Sequence, residues 1–334
     1  MSTEALPDLA HTVADAAELE LHRRELTGHC YRMLGSLFEA EDAVQETMLR
    51  AWRGAENFEG RSSLRTWMYR VATNVCLDML RGRKRRALPM GLVPSTRADD
   101  PVLGPVLPQN HWVLPVPDGR VLADTADPAE LAATRESIHL AFVATLMYLP
   151  PRQRAVLLLR EVLALSAAEV AELLGTTTAS VTSALQRARA ALAARDTGVP
   201  MRSRPDDSVR RELLAQYVDA FERYDVARLT ALLRNDAVQQ MPPYAMWLRG
   251  SDEIGRWMRG RGSECKGSRL LPTEANGCPA FAQYRSDGEG GYRAFSLQVL
   301  EVETDGHRIR ALHSFLVPEL FTAFGFPLTL GPND

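Results

Sequence analysis

Lysine is almost missing from this chain: of 39 basic residues only Lys84 and Lys266 are lysines. Arginine suits bidentate phosphate contacts, but so uniform a preference reads as genome composition before function. Cysteine is scarce too. Cys30, Cys76, Cys265 and Cys278 have no metal-type spacing and are too few for a disulfide framework in 334 residues, so four free thiols, no metal and no cofactor are expected. No apolar run approaches the roughly 18 residues that span a bilayer. The opening MSTEALPDLAHTVADAAELE is acidic and has no charged-then-apolar leader, so a cytoplasmic location and no membrane partner are expected. With 46% hydrophobic and 24% charged residues the composition is ordinary for a globular protein, which excludes a wholly disordered chain, and the length allows two or three domains.

Proline is absent from 19–86, where apolar residues recur at three- and four-residue spacings, so this segment is read as helical throughout. Between 87 and 128 eight prolines interrupt regular structure, although His111, Trp112, Val113 and Leu114 are too apolar to stay in solvent. Helical periodicity resumes over 129–195, with Ser166 and Glu169 as a capping box. After a short Pro/Gly/Arg link, 196–207, the remainder 208–334 combines an amphipathic helix over 209–223 with strand-like segments at 294–302 and 309–317, an α+β pattern. Residues 1–18 are left as a flexible start.

Three motifs carry chemistry. In 41–53, EDAVQETMLRAWR, Val44, Met48 and Ala51 share one helical face, while Asp42, Gln45, Leu49 and Arg53 line the next. Such a stripe suits docking to a basic partner, although a charged helix face alone is usually only solvated. In 62–86, SSLRTWMYRVATNVCLDMLRGRKRR, a core stripe runs through Leu64, Val71, Val75 and Met79, with Trp67 or Met68. Arg70, Asn74, Asp78, Arg81 and Arg85 recur on another side, so one helix is expected to present cations and an amide to a nucleic-acid backbone and base edges. The segment 61–86 holds eight basic residues against Asp78 alone, which makes Arg83 and Lys84 further candidates. Phe58, Ser62 and Ser63 precede the helix, where they would hold an unstacked base or else anchor and cap it. The third motif, 166–192, reads as helix, turn at Gly175 and second helix, the helix-turn-helix arrangement. Its exposed face offers Ser180, Thr182, Ser183, Gln186, Arg187 and Arg189.

The order of these motifs resembles extracytoplasmic-function sigma factors over 19–86 and 137–195, about two-fifths of the chain. AEDAVQETMLRAW is similar to the family's region 2.2, which implies that Glu41, Asp42, Gln45, Glu46 and Leu49 meet the clamp helices of core RNA polymerase. FEGRSSLRTWMYRVATNVCLDMLR looks like regions 2.3 and 2.4, which implies that Phe58, Ser62, Ser63, Asn74 and Asp78 lie near the opened minus-10 strand of promoter DNA. LPPRQRAVLLLREVLALSAAEVAELLG resembles region 4.1 and the first half of 4.2. Thr182 and Ala184 depart from the basic residues often found there, which implies a weaker grip on the minus-35 element. MPPYAMWLRGSDEIGRWM and FLVPELFTAFGFPLTL resemble the subgroup with a SnoaL-like C-terminal extension, whose fold is a curved sheet wrapped by helices around a cone-shaped cavity.

The expected fold is therefore multi-domain: two all-α domains, a region 2 bundle and a region 4 helix-turn-helix, followed by an α+β SnoaL-like cone. The expected function is promoter recognition and transcription initiation with core polymerase, regulated in cis by the third domain, which would itself answer to a small-molecule ligand or a protein regulator. A free-standing helix-turn-helix regulator would have no use for the Glu41 helix. A cyclase or isomerase would need Asp252 or His313 as its base. Both are carried as rivals. With 15 basic and 16 acidic residues over 208–334, the third domain is not itself a polyanion binder.

Overall fold

The structure, a computed structural model, describes residues 16–55, 62–99, 103–104, 106–122, 128–194 and 207–332; Phe58 and Arg61 lie outside the described residues. The first described elements are α1 (Ala16–Glu20), α2 (Arg23–Leu34), α3 (Leu37–Gly54) and α4 (Leu64–Met79). Gly35 adopts φ 74° after α2, and this left-handed residue lets the chain reverse directly into α3. Ser63 starts α4 by accepting a hydrogen bond from Thr66 N at 3.1 Å. Ala40, Ala43 and Ala51 of α3 meet Met68, Ala72 and Val75 of α4 in a common core, the small side chains allowing close approach.

The helical reading of 19–86 runs too far. α4 stops at Met79, Gly82 turns the chain at φ 72°, and Arg81 and Arg85 follow the helix rather than extending it. The force that pulls the chain away is Arg86, only 7% exposed, whose guanidinium donates to Gln109 O at 3.0 Å and Trp112 O at 2.8 Å and pairs with Glu39 at 2.5 Å.

Among the described residues between α4 and the next domain lie the short α-helix α5 (Asp118–Val121) and two 3-10 turns, Pro89–Gly91 and Gln109–His111. As its composition suggests, the aromatic stretch packs: Trp112, Val113, Leu114 and Val116 are fully buried. Leu114 N donates to Gly35 O at 2.9 Å and accepts at its carbonyl from Tyr31 Oη at 2.8 Å. The second helical domain contains α6 (Pro128–Ile138), α7 (Leu140–Leu146), α8 (Pro151–Leu157, prolonged by a π-helical turn Leu158–Val162), α9 (Ala167–Leu173) and α10 (Thr178–Ala193). Both halves of the Ser166–Glu169 capping box form, at 3.2 and 2.7 Å, and fix where α9 begins.

The third domain contributes α11 (Asp207–Glu222), α12 (Val226–Ala231), α13 (Ser251–Arg259) and α14 (Glu319–Ala323). Its strands are β1 (Leu233–Gln240), β2 (Trp247–Arg249), β3 (Arg269–Ala275), β4 (Cys278–Ser286), β5 (Tyr292–Val302), β6 (Ile309–Phe315) and β7 (Thr329–Leu330). They form one sheet in the order β2-β1-β6-β5-β4-β3, with β7 beside β5; β1 and β6 run parallel and the other pairs antiparallel. One face carries Phe281, Leu300 and Leu312 toward α11, α12 and α13, forming the expected helix-wrapped cone. The other carries Ala280, Ala282, Leu297, Val299 and Phe315 into the same core as the helical domains. Both faces of the sheet are therefore buried, and the third domain is docked rather than appended.

Candidate partner and nucleic-acid interfaces

On α3 the buried side holds Ala43, Val44 and Thr47, and the opposite side offers Asp42, Gln45 and Leu49 to solvent, with Glu41 and Glu46 half-exposed. Sequence reasoning missed Trp52, 64% exposed one turn beyond the 42% exposed Leu49. Its three-residue spacing from Leu49 was the available signal. Two large apolar side chains flanked by carboxylates make this face apolar as well as charged, unlike a merely solvated one. Glu46 pairs with Arg50 at 2.6 Å, and Glu41 approaches Arg120 of α5 at 3.9 Å.

On α4 the second stripe is present as far as the helix reaches: Arg70, Asn74 and Asp78 are exposed, and Arg81 follows beside Asp78 at 3.1 Å. Asp78 also meets Arg50 at 3.4 Å, which ties this stripe to α3. Ser62 is exposed. Ser63 spends its hydroxyl on the helix N-terminus and on Thr66 Oγ1 at 2.9 Å. Trp67 packs against the core. Beyond the helix Lys84 is exposed, Arg83 pairs with Glu39 at 2.5 Å, and the Arg85 guanidinium lies 3.9 Å from the ring centre of Tyr148, in the second domain. Replacing Asn74 by Ala should cost about 1–3 kcal/mol of base discrimination, whereas neutralising Arg83, Lys84 and Arg85 together should weaken DNA binding for all sequences and flatten its salt dependence. Binding titrations of the polymerase complex on matched and mismatched minus-10 DNA at several salt concentrations separate the two; equal loss of sequence preference would contradict the assignment.

On α10, Ser180, Thr182, Gln186, Arg187 and Arg189 are exposed, and the buried side is Val181, Ala184, Leu185 and Ala188. Two details differ from the sequence reading. Ser183 is half-buried and accepts from Arg187 at 2.5 Å, so these two act as a pair, and Arg189 is engaged by Glu161. Ala184 belongs to the packing side, so of the two positions expected to be basic only Thr182 faces outward.

The three surfaces are held in one arrangement by polar contacts that no local pattern announces. Arg32 donates to Ser137 Oγ at 3.0 Å, and buried Arg154 donates to the carbonyls of Met33 and, at 3.1 Å, Leu149, joining the helical domains. The β3–β4 turn inserts Asn276, fully buried in the left-handed region at φ 57°. Its amide donates to Tyr31 Oη at 2.8 Å and Ile138 O at 2.5 Å, and its carbonyl accepts from Val116 N at 2.9 Å. One side chain thus touches the first domain, the linker and α6.

Beside it, Gly277 N donates to Asp118 Oδ1 at 2.8 Å. Burial pushes the Asp118 carboxyl up to about 6 despite that bond. A raised carboxyl favours the docked state when protonated, so this contribution is complete below the ordinary carboxylate range and is lost as pH rises through about 6. Asp118→Asn keeps the acceptor without the charge and should add on the order of 2–3 kcal/mol to unfolding stability at pH 7.5, and nothing at pH 4. Denaturant titrations at the two pH values check this; an equal gain at both would refute it.

Further along the interface, Glu301 lies 3.0 Å from His313 Nε2 and 2.5 Å from Arg310, with His139 of the second domain 3.8 Å away. Burial alone would raise Glu301, but His139, His313 and Arg310 hold it below the usual carboxylate range, while burial pushes His139 toward its neutral form. His313 shares the outer sheet face with Val299, its cross-strand partner, and Asp252 sits in the first turn of α13; neither lines the cone. The two side chains that a cyclase or isomerase was expected to use as its base therefore lie outside the cone. Among the described residues no helix is long and apolar enough to cross a membrane, and no His, Cys, Asp and Glu cluster could hold a metal ion.

Known proteins share this layout. The Sigma-70 region 2 family matches residues 19–86 and Sigma-70 region 4 matches 139–192, the segments that carry the α3 and α4 stripes and the helix-turn-helix. The chain is 46% identical to ECF RNA polymerase sigma factor SigG of Mycobacterium tuberculosis over 94% of its own length and 84% of that protein's. It is 28% identical to ECF RNA polymerase sigma factor SigJ of the same species, over 94% and 95%. The crystal structure of SigJ superposes with a TM-score of 0.58 at 24% identity, covering 94% of this chain and all of that one, which extends the shared fold to the third domain. With two sigma regions in order and a relative 46% identical over most of both chains, the chain belongs to the extracytoplasmic-function RNA polymerase sigma factors.

Proposed function

We propose that this sigma factor rests in a closed state, clasped by its third domain, and opens when core polymerase takes the α3 stripe. Asn276 carries this reading: a single buried amide bonds to the first domain, the linker and α6, so all three part together or not at all. In the closed state Arg85 is stacked on Tyr148 of the second domain, so part of the basic segment is withheld from DNA. Opening frees it. Glu41, Asp42, Gln45, Glu46, Leu49 and Trp52 would meet polymerase. Asn74, with Arg70, Asp78 and Arg81, would read the minus-10 strand, and Gln186 with the Ser183–Arg187 pair would read minus-35 DNA. The protein would act in the cytoplasm, and its third domain would answer to a ligand or a protein regulator.

Run-off transcription with the full chain and core polymerase tests the reading. Promoter-specific transcripts that depend on both components are expected. Tight binding to duplex promoter DNA without polymerase, and no transcript with it, would instead favour a free-standing regulator.

A further inference from the structure

The concave face of the sheet encloses a cavity of about 230 Å³ whose floor is built from amides and hydroxyls. Gln298 Nε2 donates to Gln283 Oε1 at 2.9 Å, Ser296 Oγ donates to the same oxygen at 2.6 Å, and Tyr217 Oη donates to Gln298 Oε1 at 2.7 Å. Gln283 Nε2 in turn donates to Ser268 Oγ at 3.1 Å. That chain of bonds fixes the floor and leaves out Gln239, which is 7% exposed and whose carbonyl oxygen is buried without a hydrogen-bond partner. A buried acceptor left unmade costs free energy that a donor in the cavity would recover. The walls are apolar and aromatic, with Phe221, Trp257 and Met241 among them. The charged groups stand at the rim, where Glu264 and Arg285 pair at 3.3 Å with one another and both, like Arg261, reach solvent. Among the described residues that line the cavity none of the buried ones carries a charge, and burying an unpaired charge is costly.

The lid comes from elsewhere in the chain. Leu103, in the segment joining the two helical domains, lines the cavity and packs in the cone's core. Just beyond it, Val106 bridges Tyr244 and Leu107 N donates to Pro243 O at 3.0 Å, so the segment is tied to the cavity wall.

We infer that the cone is a binding site for a small uncharged molecule with a hydrogen-bond donor, a ring-bearing amide, phenol or alcohol. Scaled from a cavity of ~150 Å³ that holds benzene, it takes roughly nine or ten non-hydrogen atoms. The guest donates to Gln239 Oε1, lies against the aromatic wall and is covered by Leu103. This deepens the proposed cis regulation and rests on it in one respect: because the lid belongs to the interdomain linker, an occupied cone holds the linker down and favours the closed state.

Calorimetric titration of the full chain with 4-hydroxybenzamide tests the site, with 4-hydroxybenzoate and tyramine as size-matched anion and cation. The neutral amide should bind saturably, one per chain, at least about tenfold more tightly than either ion, and Gln239→Met should weaken it about tenfold. Leu103→Ala, on the linker and away from the floor, should weaken it as well and decides the matter if Gln239→Met does not fold. Equal binding of neutral and charged probes, no saturable binding, or full affinity in the variants would overturn the inference. No polymerase or DNA is present, so lack of binding alongside normal run-off transcription removes the site and leaves the sigma reading standing.

Discussion

Replacing Asn276 by glycine should open the molecule. Glycine accepts the left-handed backbone at this position without strain, so the variant isolates the side chain's hydrogen bonds from backbone effects. Val116 N and Ile138 O, both buried, lose their partner at once, and Tyr31 Oη keeps only the bond it donates to Leu114 O. Each stranded group costs about 1–3 kcal/mol, and allowing for water entering the gap the docked arrangement should weaken by on the order of 3–5 kcal/mol, or a factor of a hundred to a few thousand in the closed-to-open ratio. Small-angle scattering should show a larger radius of gyration, and less polymerase should be needed for half-maximal transcription. A radius and a polymerase dependence unchanged from the parent chain would show that the clasp does not hold the domains.

The second large effect is expected on α3. Leu49→Ala with Trp52→Ala removes the two exposed apolar side chains of the stripe while leaving its buried face intact, so the fold should persist. Exposed aromatic anchors carry a disproportionate share of interface energy, and the double variant should lose about 2–4 kcal/mol of polymerase affinity, a thirtyfold to several-hundredfold drop. Charge reversal at Asp42 and Glu46 should weaken association further, and more so at low salt, because these are rim charges. Co-purification and fluorescence titration with core polymerase measure both. Affinity unchanged in the double variant would place the polymerase contact elsewhere.

Helical periodicity made the helix-borne surfaces legible before the structure. Asp42, Gln45 and Leu49 on one side of Val44 and Ala51 are a local fact, and so is the Ser166–Glu169 cap. What lay beyond periodicity was less legible. The end of α4 was misplaced because the pull on Arg86 comes from carbonyls 23 and 26 residues away. β4 went unseen because seven consecutive residues are buried, so it has no alternation to read, and Pro279 near its start argues against a strand. β1 carries Asn235 and Asp236, poor strand formers, and takes its place by pairing with β6. The Asn276 clasp joins partners 138 to 245 residues apart and leaves no mark on its neighbours in sequence. His313 seemed a candidate base only while its strand register was unknown; pairing with Val299 turns it out of the cone.

The closed resting state is tested most directly by a distance between the two helical domains. Spin labels at positions 70 and 186, both exposed, one on α4 and one on α10, report it in a chain with Cys265→Ser. Free protein should give one narrow distance, core polymerase should shift it to a longer one, and Asn276→Gly should populate the longer distance without polymerase. The same narrow distribution with and without polymerase, in a preparation that binds polymerase, would contradict the account.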